Sequence, residues 1–529
     1  MLRIERRAWG LALVSAVLQV VIFPLPNLYV LSWIAVTPLL IGLLHARQRE
    51  TLQLQGRAKL EPASPWQGFL LGYICGIVWY GGNCYWVFNT MKQYGGISAP
   101  GAAGLLILFS LYLGLYHGAF GFISCLLAKK SLRTALVLAP FVWVAVELAR
   151  TRISGFPWDL LGITQVDNIP LARIARFTGV YGISFEIMIV NTAFAAALLV
   201  DRKRRTSLLI ATLAAAFVLQ IARWTPIPAV PADRSAVLVQ ENVPILENSD
   251  WTRPYYETTF SDLTNLSLNP PGAQGHPDLI VWPESPAPFF SNDAGFRSGL
   301  AHIATTARSW VVAGSIGIEG SGGNQEVFNS AALIDPSGEL VAHYDKVHLV
   351  PFGEYLPFPS LLSFAGGLTK EVGTFTPGAS RSALRAGEQK LGIFICYESI
   401  FPDEVRRFAD SGAQVFVNIS NDGWYGDSGA YAQHLKQARM RAIENDRWLL
   451  RSTNTGVTAA IDPYGQVAQQ APRKVRTALV AAYSLIDGTT FYTRHGDCLA
   501  YSCAIISLGA ILFSLRRISP NSVKGRRIA

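Results

Sequence analysis

Eight apolar stretches, each long enough to cross a lipid bilayer, constrain this chain more than any other feature. A membrane-spanning helix needs about 20 consecutive apolar residues. Only 15% of the 529 residues are charged, against about 25% in ordinary soluble domains. The chain is therefore predicted to contain a polytopic α-helical membrane domain with about eight transmembrane helices. The predicted spans are 8–23, 28–45, 67–88, 102–128, 134–150, 178–200, 206–222 and 498–515.

Basic residues are concentrated in alternate loops between these stretches. The loops after the second, fourth and sixth stretches, and the tail after the eighth, are rich in Lys and Arg. The positive-inside rule then predicts that both termini are cytoplasmic and that the block between stretches seven and eight faces outward. The expected division is 1–227 for the membrane domain with seven helices, 228–492 for an outward domain, and 493–529 for the last helix and a basic cytoplasmic tail. This clustering also argues against nucleic acid as the reason for the excess of 45 Lys+Arg over 36 Asp+Glu.

The outward block has the pattern of an α/β domain. Strand-like runs rich in Val, Ile and Phe alternate with helical patterns, which is typical of a buried sheet flanked by helices. Two similar turns, Asp335-Pro336-Ser337-Gly338 and Asp462-Pro463-Tyr464-Gly465, predict two hairpins and hence two comparable halves. The predicted strands are 236–240, 279–282, 310–313, 391–395 and 415–419, and the predicted helices are 296–308, 402–410 and 431–448.

Three chemically different side chains stand where apolar runs of the α/β block end. Glu284 follows the run 279–282, Lys346 lies in Tyr344-Asp345-Lys346, and Cys396 ends the run 391–395. A base, a cation and a thiol are the groups needed for acyl transfer through a thioester, because the base activates the sulfur and the cation stabilises the oxyanion. Cys396 is the only cysteine of this block; the others lie in or beside the predicted spans, at Cys75, Cys84, Cys125, Cys498 and Cys503.

Each of these residues also has a purely structural interpretation. A buried free cysteine is common core filler, and single lysines and glutamates usually lie at the surface. The abrupt change to Tyr397-Glu398-Ser399 after the cysteine favours a catalytic position at the rim of the sheet. Glu354 is a possible second carboxylate, able to orient Lys346 or to share a proton with Glu284.

Two other kinds of site rank lower. A Cys-His pair would use His343, His348 or His434, but residue order alone assigns no orienting Asn or Asp. A metal site is not expected, because one cysteine and scattered histidines lack the close ligand pairs typical of zinc sites. No cofactor is predicted.

The order Trp282-Pro283-Glu284, Asp345-Lys346 and Cys396-Tyr397-Glu398 resembles the Glu-Lys-Cys pattern of the nitrilase or carbon-nitrogen hydrolase superfamily. Seven preceding spans and one following span narrow the resemblance to the apolipoprotein N-acyltransferase family, over nearly the whole chain. Further motifs resemble that family's pattern: Asn242-Val243-Pro244 leading to Trp251, Gly155-Phe156-Pro157-Trp158, Asn329, Phe352-Gly353-Glu354, Asn421-Asp422 and Trp424-Tyr425-Gly426.

This resemblance implies an αββα sandwich for the α/β domain and catalytic roles for Glu284, Lys346 and Cys396. It implies transfer of an acyl chain from a phospholipid, typically phosphatidylethanolamine, to the N-terminal amine of diacylglyceryl apolipoproteins at the periplasmic face of a bacterial inner membrane. Supporting roles are expected for Glu354, Tyr397, Glu398 and Asn329. Substrate-binding or lid roles are expected for Trp158, Trp251, Trp424 and Tyr425. Phe289, Phe290, Trp424 and Tyr425, on loops near the predicted strand ends, are candidates for covering the acyl chains, and core packing is an equal alternative for each of them.

Two other functions are compatible with the same sequence features. A membrane-anchored amidase or nitrilase acting on small substrates would need the same three residues but not eight spans. A non-catalytic membrane scaffold or transporter would leave Cys396 dispensable and would place function on intramembrane acids such as Glu147 and Glu186. These acids lie near the ends of predicted spans, so this alternative ranks lowest.

Overall fold

The computed structural model describes residues 4–48, 60–199, 202–245, 250–272, 275–320, 325–355 and 375–516. The predicted basic tail beyond residue 516, part of the basic loop at 49–59 and the end of the proline-bounded loop after Tyr355 lie outside the described residues. The first half is helical. Its elements are α1 (Arg6–Val21), α2 (Thr37–Leu44), the short pair β1 (Arg47–Gln48) and β2 (Leu60–Glu61), α3 (Pro65–Asn83), α4 (Trp86–Gln93), α5 (Ala99–Ala128), α6 (Leu132–Ser154), α7 (Ile169–Ala172), α8 (Ala175–Thr178), α9 (Val180–Leu199) and α10 (Arg202–Ile221).

All eight predicted spans contain helix, and five described helices are long and apolar enough to cross a membrane. The helices in the first three predicted spans are not among these five. The first, α1, has only 16 residues, and the third, α3, has 19 but includes more Gly, Trp and Tyr. The second is split into a 3-10 turn and the eight-residue α2. The five qualifying helices are Ala99–Ala128, Leu132–Ser154, Val180–Leu199, Arg204–Trp224 and Cys498–Leu515.

A polar side chain from a distant helix stabilises the interruption of the second predicted span. Asn191 of α9 accepts hydrogen bonds at Oδ1 from the N–H groups of Val36 and Thr37, at 2.8 and 2.9 Å. These are N–H groups that the start of α2 leaves without a partner inside the helix. The sequence pattern could not reveal this polar side chain, because it comes from a distant helix.

The second half forms two six-stranded sheets with helices outside them. The first sheet has the order β14-β3-β4-β5-β6-β7, and the second has the order β13-β12-β11-β10-β9-β8. The elements are β3 (Arg234–Gln240), α11 (Arg253–Leu268), β4 (Leu279–Val281), α12 (Ala294–Ala307), β5 (Trp310–Glu319), β6 (Glu326–Ile334), β7 (Leu340–Asp345), β8 (Leu384–Ala386), β9 (Gln389–Ile395), α13 (Pro402–Asp410), β10 (Val415–Ser420), α14 (Ala430–Asn445), β11 (Leu449–Thr453), β12 (Ala459–Ile461), β13 (Val467–Gln470), β14 (Thr477–Tyr483), α15 (Phe491–His495) and α16 (Cys498–Arg516).

These layers confirm the predicted αββα sandwich. One core cluster fills the space between the sheets and extends under α13 and α14, and it includes Leu238, Phe394 and Phe408. A second cluster packs α11 and α12 against the outer face of the first sheet. The five predicted strands and three predicted helices all appear at their expected places.

The two similar turns form matching hairpins, one in each sheet. In the first, Asp335 accepts from the N–H groups of Ser337 and Glu339 through Oδ1, at 2.9 and 3.0 Å. In the second, Asp462 accepts from Tyr464 and Gln466 in the same way, at 2.9 and 2.8 Å. The hairpins join β6 to β7 and β12 to β13, so the prediction of two comparable halves is confirmed.

The second sheet's side of the sandwich packs on the membrane domain. Tyr397, Phe401 and Met440 belong to the same hydrophobic cluster as the buried side chains of the membrane helices. Hydrogen bonds cross this junction as well: the N–H of Val180 donates to Glu444 Oε1 at 2.9 Å. The α/β domain is thus attached to the membrane helices through α13, α14 and the turn after β9.

Candidate active site

A buried network of two carboxylates, one amide and one ammonium group lies at the end of the first sheet. Lys346 donates from Nζ to Glu284 Oε1 at 3.2 Å and to Glu354 Oε1 at 2.8 Å. Asn329 of β6 donates from Nδ2 to the same two oxygens, at 2.8 and 2.7 Å. All four side chains are buried. The structure therefore brings together Glu284, Lys346, Glu354 and Asn329, which the sequence had indicated separately.

Electrostatics keep the lysine charged. Burial alone would lower the pKa of Lys346, but the carboxylates of Glu284 and then of Glu354 outweigh burial and raise it above its usual range. A permanent cation beside two carboxylates compensates one of their negative charges. The network is therefore suited to hold a carboxylate base next to a positive charge in a site that excludes water.

Cys396 begins a 3-10 turn, Cys396–Ile400, directly after β9. Its φ of 49° lies in the left-handed region, which is strained for a residue with a side chain and is a frequent feature of active sites. Burial, and then the negative charge of Glu284, raise the pKa of the Cys396 thiol, while Lys346 acts in the opposite direction. The resting thiol therefore keeps its proton and needs a base to become a nucleophile.

Glu398 ties the cysteine turn to the lysine segment. It is almost completely buried, and burial is the main reason why its pKa is raised. Its carboxylate accepts hydrogen bonds from both segments, so it holds Cys396 and Lys346 in a fixed relation. The donors are the N–H groups of Ile395, Val347 and His348 and the hydroxyl of Tyr344, at 2.8, 2.9, 3.1 and 2.7 Å.

A third buried network contacts the backbone carbonyl group of the cysteine. His434 of α14 approaches the carbonyl oxygen of Cys396 with Nε2 at 3.0 Å and Asp422 Oδ1 with Nδ1 at 2.9 Å. Arg451 of β11 donates to Asp422 Oδ2 at 2.8 Å. Burial raises the pKa of Asp422, but Arg451 and then His434 outweigh burial and hold it well below its usual range. His434 thus contacts the backbone of Cys396.

The loop after β10 links the base to the membrane domain. The N–H of Asn421 donates to Glu284 Oε2 at 2.9 Å. Close behind Asn421, the carbonyl oxygen of Trp424 accepts from Thr90 Oγ1 of α4 at 2.9 Å. Tyr94, just after α4, places its ring 5.3 Å from that of Trp424. Both oxygens of Glu284 are therefore held, one by the lysine network and one by this loop.

Two family models match the chain in succession. Residues 15–193 match the apolipoprotein N-acyltransferase N-terminal domain, and residues 259–489 match the carbon-nitrogen hydrolase family. The apolipoprotein N-acyltransferase of Geobacter metallireducens is 33% identical over 98% of this chain and 97% of its own length. The corresponding protein of Methylococcus capsulatus is 36% identical over 88% of this chain and 91% of its own.

The chain belongs to the apolipoprotein N-acyltransferase family. It is an integral membrane acyltransferase of lipoprotein maturation, and lipoproteins and phospholipids are its substrates. A solved carbon-nitrogen hydrolase from Helicobacter pylori G27 is similar over 47% of this chain and 88% of its own, at 18% identity and with a TM-score of 0.36.

Three of the four aromatic residues expected to contact substrate in this acyltransferase lie at or beside the membrane junction, and the fourth lies on the outer layer of the first sheet. Trp158 and Tyr425 are buried at the junction, with ring centroids 5.7 Å apart, and Trp158 donates from Nε1 to Gln433 at 2.8 Å. Trp424 is half-buried on the loop beside α4. Trp251 instead packs beside Tyr255 on the outer layer of the first sheet.

Two further aromatic candidates and two of the histidines lie elsewhere in the fold. Phe289 is part of the core between the first sheet and α12, so the expectation that it covers acyl chains is wrong, whereas Phe290 is 41% exposed. His348 contacts Glu404 at 3.0 Å, and His343 contacts Asp345 at 3.2 Å. Among the contacts of the described residues, neither His343 nor His348 forms a hydrogen bond with the sulfur of Cys396.

Sequence reasoning missed Arg451 and Gln433, and only Arg451 gave a signal. Arg451 directly follows the apolar run Trp448-Leu449-Leu450, and a charged residue inside a buried strand requires a partner. Gln433 lies on α14 and donates to the backbone oxygens of Pro24 and Asn83 in the membrane domain, both at 3.1 Å. Thr90 and Tyr94 gave no comparable signal, because their partners are backbone carbonyl groups.

Proposed function

We propose that acyl transfer proceeds through a thioester on Cys396, with Glu284 as general base and Lys346 as the cation that stabilises the oxyanion. The observation that carries this proposal is the buried Lys346 ammonium group held between two carboxylates, next to a thiol whose pKa is raised. The carboxylate of Glu284 takes the thiol proton, and the sulfur attacks the sn-1 ester carbonyl carbon of a phospholipid. The charge on the ester oxygen is stabilised by Lys346 and by the N–H groups at the start of the 3-10 turn.

The tetrahedral intermediate then breaks the carbon–oxygen bond to glycerol. The departing alkoxide receives the proton from Glu284, which leaves a lysophospholipid and an acyl group on Cys396. In the second half-reaction, the N-terminal amine of the diacylglyceryl-cysteine attacks the thioester carbon. Glu284 takes a proton from the amine and returns it to the cysteine sulfur, so that an amide is formed and the enzyme is regenerated.

The donor is phosphatidylethanolamine, and the site faces the periplasm of a bacterial inner membrane. The Lys/Arg asymmetry supports this orientation, with 1–227 and 493–529 as the membrane parts and 228–492 as the periplasmic domain. Reporter fusions after Arg204 and after Pro231 test it: the first should report from the cytoplasm and the second from the periplasm. The reverse pattern would remove the argument for a periplasmic site.

The thioester itself is tested by intact mass of the purified protein after incubation with phosphatidylethanolamine. The wild-type chain should gain one hydroxylamine-sensitive acyl group, and Cys396→Ala should gain none. His434→Gln should keep the adduct at a reduced rate, because His434 contacts the carbonyl oxygen of Cys396. An adduct that persists in Cys396→Ala, or one that vanishes in His434→Gln but survives in Glu284→Gln, would contradict the mechanism.

A further inference from the structure

The hydroxyl group of Ser420 lies beside the reacting sulfur. Ser420 is the last residue of β10, which runs parallel to β9 with Ile419 opposite Ile395. The next residues along the two strands are therefore Ser420 and Cys396, and neighbouring strands lie about 4.8 Å apart. The Ser420 side chain is completely buried. Burial and then Glu284 raise the pKa of the Cys396 thiol, and the side-chain hydrogen bond of Ser420 acts in the opposite direction.

In the resting enzyme, the single hydroxyl hydrogen of Ser420 has a different acceptor. Ser420 Oγ donates to Asp422 Oδ1 at 2.9 Å. Asp422 is ionised: although burial raises its pKa, Arg451 and then His434 outweigh burial and hold it well below its usual range. An ionised carboxylate is a stronger acceptor than a neutral thiol. The hydroxyl oxygen therefore offers its lone pairs, rather than its hydrogen, to the protonated sulfur.

Asp422 does not depend on this hydrogen bond. Arg451 donates from Nη2 to both of its carboxylate oxygens, at 2.8 and 3.1 Å, and His434 Nδ1 lies 2.9 Å from Oδ1. If the hydroxyl group of Ser420 rotates away, the buried carboxylate keeps these partners, so no unsatisfied charge is left behind. The rotation moves only a hydrogen atom, because a serine hydroxyl turns about its own C–O bond.

Formation of a thiolate changes which acceptor is preferred. In the proposed mechanism Glu284 takes the proton of Cys396, and the sulfur then carries a negative charge in a buried site. A hydrogen bond to an ionised acceptor is roughly twice as strong as one to a neutral acceptor. A bond that forms only as the charge develops lowers the barrier, whereas one already present in the ground state does not. The same charge returns to the sulfur when the acceptor amine displaces the thioester.

We propose that Ser420 is a further catalytic residue, whose hydroxyl hydrogen turns from Asp422 to the sulfur of Cys396 whenever that sulfur is negatively charged. The proposal rests on the proposed function, because it assigns a donor to the same thiolate. Ser420 neither gains nor loses a proton; only the acceptor of its hydrogen bond changes. Glu284 remains the base in both half-reactions.

Alkylation of Cys396 by iodoacetamide tests the proposal without any acyl transfer. Ser420→Ala should lower the thiolate fraction roughly tenfold, through the loss of one charge-assisted hydrogen bond. A less acidic thiol is intrinsically more nucleophilic, which offsets about half of this effect on a logarithmic scale, so alkylation should slow about threefold at every pH between about 7 and 9. Peptide mass spectrometry measures the rate, with the exposed Cys498 as a reference in the same sample. The variant leaves the other titratable groups that act on this thiol in place: Glu284, Lys346, Asp422 and Tyr425.

The acylation reaction gives a second readout. Ser420→Ala should slow acylation of Cys396 roughly tenfold and leave the KM for phosphatidylethanolamine unchanged, because the hydrogen bond is made only with the charged sulfur. The matched control is Ser452→Ala on the neighbouring strand β11. It also removes a buried serine hydroxyl, which donates to the carbonyl oxygen of Val239 at 2.7 Å. This control should lose a similar amount of thermal stability without a change in either rate.

A second pair of variants keeps the test decisive if Ser420→Ala folds poorly. Ser420→Thr and Ser420→Val have the same shape, and only Ser420→Thr keeps a hydroxyl group, so it should be alkylated about threefold faster and acylated roughly tenfold faster than Ser420→Val. Equal rates in this pair, or a loss of stability in Ser420→Ala with both rates unchanged, would overturn the proposal and leave Ser420 as a structural partner of Asp422. Absence of an acyl adduct on the wild-type protein would instead overturn the thioester mechanism, and the alkylation rates would still decide the role of Ser420.

Discussion

The two sheets of the α/β domain are built alike but are used differently. Each has six strands, three of them parallel neighbours, and each carries an Asp-Pro hairpin of the same geometry. The first sheet supplies the Glu284, Lys346 and Asn329 network, and its outer helices pack only within the domain among the contacts described. The second sheet supplies Cys396, and its helices α13 and α14 pack on the membrane helices.

The two sheets thus meet two different requirements of the proposed reaction. A base and an oxyanion cation have to be pre-organised, and the hydrogen bonds that Lys346 and Asn329 donate on the first sheet's own side contribute most of that order. The thiol has to meet an ester whose acyl chains remain in the bilayer, because moving them into water costs about 0.8 kcal/mol per CH₂. The half of the sandwich that carries the nucleophile is accordingly the half that is attached to the membrane helices.

Lys346→Met should give the largest effect, because it removes the cation that compensates two buried carboxylates. Loss of a buried ion-pair partner costs about 3–5 kcal/mol of folding free energy, and acylation of Cys396 should fall roughly a thousandfold. Pre-steady-state mass spectrometry measures the rate, and thermal unfolding in detergent measures stability. The control Lys390→Met, at an exposed position on the cysteine's own strand β9, should change neither quantity; a variant at Lys346 with near-normal acylation would refute the oxyanion role.

Glu284→Gln and Glu354→Gln should differ although both side chains accept from Lys346 and Asn329. Only Glu284 also accepts from the backbone of Asn421, on the loop after β10, whereas Glu354 accepts from Val350 of its own loop. Acylation should fall by about a hundredfold for Glu284→Gln, the lower end of the usual contribution of a general base, and by roughly tenfold for Glu354→Gln. If the Glu354 variant is the slower one, the two roles have to be exchanged.

Gly338→Ala and Gly465→Ala test the matching hairpins and should give the smallest effects. Both glycines have a φ in the left-handed region, 92° and 77°, so alanine adds strain of about 1 kcal/mol in each. The new Cβ would come within 2.9 Å of the Cβ of Ala301 at Gly338, and within 2.6 Å of the side chain of Ile443 at Gly465. Overpacking therefore adds to the strain at both sites, and it adds more at the buried Ile443 of the membrane junction, where the cost should reach about 2 kcal/mol. Thermal unfolding in detergent should therefore rank Gly465→Ala as the less stable variant. Equal losses of stability in the two variants would contradict this ranking and would show that the two hairpins are packed equally tightly.

Much of the fold was predictable because its signals are local in sequence. Strand-like runs ended by Glu284 and Cys396, and the repeated Asp-Pro turns, indicate a sandwich with chemistry at its rim. The order of Glu, Lys and Cys motifs then indicated the family. Glu354 and Asn329 were expected near the site, and the contacts of both with Lys346 or Glu284 agree with that expectation.

The rest depends on contacts between distant segments, which residue patterns do not specify. Phe289 has the exposed-loop pattern of a lid residue but is buried because α11 and α12 close over it. The buried Arg451, Asp422 and His434 network joins three separate elements. Nothing local in the sequence indicates that Thr90 of a membrane-domain helix contacts the backbone of Trp424.

The hydrogen bond from the Asn421 backbone to Glu284 gives the base a mechanical connection to the membrane domain. The same loop that holds one oxygen of the base is held in turn by α4, through Thr90 and Tyr94. These hydrogen bonds connect α4, through the 421–424 loop, to the carboxylate that is proposed to accept the thiol proton. The reactivity of the base therefore depends on the position of a helix in the other half of the molecule.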